Sequence, residues 1–148
     1  MIAHYEAALS FKTRDSLHMA LSFYDIQDIA LAHAEGRKWL EASVAYDSLV
    51  RAAREEQKSD LATFYSMNNQ SVCLFFAGKY QDAIEVQERM ALLMDRVYDA
   101  FPASPENSDL DFFPEVKECE GNLEKMAKYV KNGGALPSFT WMPNCGSR

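Results

Sequence analysis

Apolar positions fall at steps of three and four along most of the chain, the period of a helix with one buried side. The clearest stripe follows Gly78: Tyr80, Ala83, Ile84, Gln87, Met90, Ala91, Met94, Val97, Tyr98 and Phe101 share one face. It predicts a helix over 79–101. Before Gly78, from Met67 to Ala77, residues are small or apolar almost all round. Val72–Ala77 alone could be a buried strand, but both flanks keep helical period, so the stretch reads as the end of a helix over 60–77. Two such apolar helices meeting at a glycine must bury each other.

The same period predicts helices over 16–35 (Leu17, Ala20, Leu21, Tyr24, Ile26, Ile29, Ala30, His33) and 38–57 (Trp39, Ala42, Tyr46, Leu49, Val50, Ala53). A short helix over 2–11 precedes them, and Thr13–Ser16 is the interruption, with Asp15 or Ser16 as cap. Gly36-Arg37-Lys38 turns the chain, and Lys58-Ser59-Asp60 is a break that carries capping residues. Pro102–Asp109 reads as a loop. A last helix over 114–131 presents Val116, Cys119, Leu123, Met126, Ala127 and Val130 on one side. It has Pro114 in its first turn, glutamates early, lysines late and Asn132-Gly133-Gly134 as its stop. The chain from 135 to 148 reads as an irregular tail with Leu136, Phe139, Trp141 and Met142, suited either to plugging its own domain or to reaching another protomer. The expectation is therefore an all-α domain over 1–134, built of antiparallel helix pairs.

An internal repeat sharpens this. Trp39, Ala42 and Leu49 recur as Tyr80, Ala83 and Met90, 41 residues later. A small residue where helices cross permits close approach, and burying each large neighbour is worth roughly 1.5–3 kcal/mol. With Gly78-Lys79-Tyr80-Gln81-Asp82-Ala83-Ile84, Met67-Asn68-Asn69 and the small Ser71, the pattern over about 16–101 resembles tetratricopeptide repeats. Gly36 departs from it, lying one residue further from its aromatic than the pattern asks, and Gln70 stands where a large apolar residue is usual. The resemblance implies a short right-handed α-solenoid with the last helix as a cap, whose first helices line a concave face that binds a peptide or partner protein. On that face it places Tyr24, Gln27, Asp28, Leu31, Tyr65, Asn68, Asn69, Val72 and Phe76. It also implies that Asn69 holds a ligand's backbone or carboxylate, since an amide side chain donates and accepts at once. The matching side of the first helix offers Tyr24, Gln27, Asp28, Leu31 and Glu35 rather than Lys or Arg, so a basic or apolar ligand is expected over a carboxylate.

Composition narrows the function class. The formal charge is −7 over 148 residues, which argues against a phosphate-tracking surface and hence against nucleic acid. No apolar run is long enough to cross a membrane, and the first residues, Met1–Glu6, do not read as a secretory signal. Three scattered cysteines, Cys73, Cys119 and Cys145, without CxxC fit a reducing, cytoplasmic setting better than a disulfide framework. His4, His18 and His33 stand in no metal-binding motif, and no phosphate cradle precedes a helix. No metal or cofactor is expected. The predicted function is a non-enzymatic adaptor or regulator. The alternatives are a homo-oligomer whose apolar face is the subunit interface, and an enzyme, whose cue would be a deep pocket gathering His33, Glu35 and Cys73.

Overall fold

A computed structural model describes residues 21–100 and 114–146. Within them lie five helices and no strand: α1 (Phe23–Glu35), α2 (Trp39–Glu55), α3 (Asp60–Phe76), α4 (Tyr80–Ala100) and α5 (Pro114–Asn132). Each helix packs on the one before it, and α5 also touches α3. Residues 133–146 are non-helical.

The first helix begins later than its apolar period suggests. Leu21 and Ser22 are not helical, which breaks the helix expected over 16–35, while the interruption expected at Thr13–Ser16 lies outside the described residues. The Ser22 hydroxyl accepts from the Asp25 amide at 3.3 Å, and a carboxylate oxygen of Glu56 accepts from the Phe23 amide at 2.7 Å. Two orphan donors of the first turn are thereby satisfied, one of them by the far end of α2. The helix expected over 2–11, its cap at Asp15 or Ser16 and the loop at 102–109 lie outside the described residues. At α3, Ser59 accepts from the Ala62 amide at 3.2 Å, as a cap in that break should.

Three helix ends share one device. After α1, α2 and α3 the amides of Lys38, Lys58 and Lys79 donate back to the carbonyls of His33, Ala53 and Leu74. The preceding residue, Arg37, Gln57 or Gly78, donates to Ala34, Arg54 or Phe75. This double bond pattern requires a left-handed residue at the turn, and φ is 59°, 55° and 85° at those three positions. Gly36 has φ −80° and is not that residue. Arg37 is, so Arg37-Lys38 occupies the same turn positions as Gly78-Lys79.

Of the repeated positions, Ala42, Ala83, Leu49 and Met90 are buried, whereas Trp39 is half-buried and Tyr80 exposed. Ala42, Tyr46 and Leu49 lie in one apolar cluster with Phe23, Ile26 and Ala30. Ala83 and Met90 lie in the two clusters that α3 builds with α4 and α5. Trp39 and Tyr80 both stack on the end of α3, Trp39 on Phe76 at 4.9 Å and Tyr80 on Phe75 at 4.6 Å. On α5 the buried stripe is turned from the expected one. Val116, Cys119, Asn122 and Met126 are buried, whereas Ala127 and Val130 are exposed.

A Cβ at Gly78 would meet nothing within 4 Å, so a substitution there pays only for the left-handed backbone. Gly78→Ala should lower stability by about 1 kcal/mol and Gln57→Gly should not lower it, both read as urea midpoints. An unchanged midpoint in Gly78→Ala would contradict the shared turn geometry.

Candidate functional site

Residues 138–146 run as a non-helical strip from α5 across α3 to α1, and side-chain amides on the three helices hold its main chain. At α5, Asn122 Nδ2 donates to the Thr140 carbonyl at 2.9 Å, and its Oδ1 accepts from the Thr140 amide at 2.9 Å. At α3, Asn69 Nδ2 donates to the Met142 carbonyl at 2.6 Å, and its Oδ1 accepts from the Met142 amide at 3.1 Å. At α1, Gln27 Oε1 accepts from the amides of Cys145 at 2.7 Å and Gly146 at 3.3 Å. Outside this trio, Lys125 Nζ donates to the Ser138 carbonyl at 2.8 Å.

Asn68 ties the arrangement together. Its Oδ1 accepts from Asn122 at 2.8 Å and from Gln87 of α4 at 3.2 Å. Its Nδ2 donates to the Thr140 carbonyl at 3.0 Å and to Asn69 Oδ1 at 3.4 Å. Gln87 also donates to the Ser71 hydroxyl at 2.6 Å. Asn68, Asn69 and Asn122 are fully buried, where an amide is stable only with its partners in place.

The strip adds rings to these polar clamps. Phe139 packs on Phe75 at 5.0 Å and on Phe76 at 5.6 Å, and Trp141 meets Tyr46 edge-on at 5.5 Å. Cys145 is buried in the α1–α2 core. A Cβ at Gly146 would lie 2.9 Å from Phe23 Cε1, so the strip leaves no room for a side chain there.

Of the residues expected on this face, Gln27, Asn68 and Asn69 bond the strip. Val72 and Phe76 join it through apolar contact. Leu31 lines a cavity beside the strip. Tyr24 lies elsewhere, accepting from Lys58 Nζ at 2.9 Å with that ammonium over its ring. Asp28 is exposed and Tyr65 half-buried, bridging two apolar clusters. The face expected to meet another chain is thus covered by residues 138–146 of this one, and the tail is seated on its own domain. Asn122, which bonds the strip, and Gln87, which bonds Asn68, are not among the expected residues, yet both carry a signal: an amide on an otherwise apolar helical stripe.

The cavity, about 350 Å³, is walled by Leu31, Ala34, Trp39, Val72, Phe76, Phe139 and Trp141, with Glu35 at its rim. It gathers Glu35 but neither His33 nor Cys73. Among the described residues no three His, Cys, Asp or Glu side chains cluster as metal ligands, and no helix is long and apolar enough to cross a membrane. Burial pushes the thiols of Cys73, Cys119 and Cys145 up to about 12, the reverse of an activated nucleophile. Compared with family models, with curated proteins and with solved structures, the chain matches none.

Two outcomes follow from this geometry. Asn68→Ala strands parts of four partners and should cost about 2–3 kcal/mol in chemical denaturation, against less than 1 kcal/mol for an exposed control such as Asp28→Ala. The thiols give a pH dependence. Their folded pKa lies above the ordinary value of 9.0, so the unfolded chain loses these protons first. Their stabilisation is complete below about pH 9 and declines as pH rises toward 12, by up to about 1.4 kcal/mol per unit for each thiol. Urea midpoints at about pH 8 and about pH 10 measure it, and equal midpoints would contradict thiol burial.

Proposed function

We propose that this chain is a non-enzymatic protein-interaction module of the tetratricopeptide kind. Its helices form antiparallel pairs in a short right-handed solenoid capped by α5, and the concave face of α1, α3 and α5 binds an extended peptide of a partner protein. One observation carries the reading: Asn122 and Asn69 each engage both the N–H and the C=O of a single residue, Thr140 and Met142, two positions apart. That is the bonding a neighbouring β-strand would give, and it reads main chain whatever the side chains are. Helices rarely offer such bonds to a passing strand, because their own backbone groups are already paired.

The neutral clamps favour an internal stretch of a partner over a terminal carboxylate. Three free, buried thiols suit a protein that works in a reducing compartment such as the cytoplasm.

The reading is tested with a fluorescent peptide of residues 135–146 and a full chain carrying Trp141→Ala, which loosens the resident strip. The peptide should bind this chain saturably. Adding Asn69→Ala should weaken binding at least about tenfold, the loss expected for two hydrogen bonds. Equal binding by both folded variants, or none by either, would reject the groove.

A further inference from the structure

Resting on that reading, we propose that residues 138–146 are an internal competitor, and that the groove's partner is an extended segment with the pattern large apolar–aromatic–x–aromatic. Such a partner displaces the strip by filling a cavity that the strip leaves open. Three features support this.

The strip is held mainly by contacts that another chain could replace. Its backbone lies on Asn122, Asn69 and Gln27, which impose no sequence, and its selectivity rests on the two rings, the buried Cys145 and the close approach at Gly146. Phe139 packs on Phe75 and Trp141 on Tyr46, while Thr140 between them contributes only main chain to the clamps.

The join to α5 is built to swing. Gly133 and Gly134 both have positive φ, 70° and 97°, and a Cβ at either would meet nothing within 4 Å. Glycine alone holds two successive residues of that kind without strain, and it also permits the most alternatives. Leu136 beyond them is 58% exposed, so the connecting residues are not anchored in the core.

The fit is incomplete on one side. The cavity of about 350 Å³ has apolar walls, including the inner faces of both strip rings, and Ser138 stands at its edge. A tethered segment acts at an effective concentration on the order of millimolar, so a free peptide must bind better than the strip to replace it. A large apolar side chain in place of Ser138, which lines this cavity, would cover its apolar walls beside the stacked Trp39 and Phe76, and full burial of a Leu corresponds to a gain of about tenfold or more in affinity.

Cys145 reports the exchange in the unaltered full chain. It belongs to the strip's end and is buried against the helices, out of reach of iodoacetamide until the strip lifts, whereas Cys73 and Cys119 lie on the helices themselves. Two probe peptides of residues 135–146 are used, both with Cys145→Ser, one of them also with Ser138→Leu. Mass spectrometry should show the Ser138→Leu probe accelerating alkylation of Cys145 at least about tenfold, with Cys73 and Cys119 unchanged. The parent probe should need about tenfold more peptide for the same effect. A Ser138→Leu probe lacking both rings (Phe139→Ala, Trp141→Ala) should do nothing. If the labelled peptide binds the Trp141→Ala chain through Asn69, yet neither probe exposes Cys145 in the unaltered chain, the groove reading stands and the competitor is refuted. Parent and Ser138→Leu probes acting equally would also refute it, pointing instead to exchange of strips between two copies of this chain. Equal acceleration of all three thiols would mean general unfolding and would refute it too.

Discussion

A single buried carboxamide holds the molecule's parts in register. Asn68 sits fully enclosed in the middle of α3, and its four hydrogen-bonding positions reach α4 through Gln87, α5 through Asn122, the non-helical strip through Thr140 and its own neighbour Asn69. An amide taken out of water is stable only when each donor and acceptor is met. The position of each of these elements is therefore constrained by the others, in a way that apolar packing alone would leave looser. The apolar clusters supply most of the cohesion, and this network specifies which arrangement they adopt.

The helices themselves were legible because their causes are local. The boundaries expected for α2, α3 and α5, and the start expected for α4, fall within two residues of those observed, since period, capping residues and breakers all act over a few positions. The start of α1 was not legible. The carboxylate that satisfies the Phe23 amide belongs to Glu56, which is remote in sequence. The spacing at Gly36 misled for a different reason: a glycine invites the turn to be centred on it, whereas the left-handed position fell to Arg37.

The groove was half legible. Gln27, Asn68 and Asn69 stand out as amides on helices that otherwise bury apolar side chains, and all three bond the strip. Asn122 offers the same signal, but the stripe of α5 was placed one residue away from it, through Leu123, Ala127 and Val130. What no residue pattern displays is the path of residues 138–146. An irregular segment has no period to read, and its rings serve equally well on its own helices or on another protein. Tyr24 and Asp28 lie on the expected helix but make no bond to the strip, which meets α1 through Gln27 and Phe23.

The three central clamps, Gln27, Asn69 and Asn122, carry no formal charge. Ions in solution screen attraction between charged groups and leave buried dipole pairs nearly untouched. Whatever lies in this trough is therefore held with nearly equal grip in dilute buffer and in brine, and the acidic exterior governs how fast visitors arrive rather than how firmly they stay.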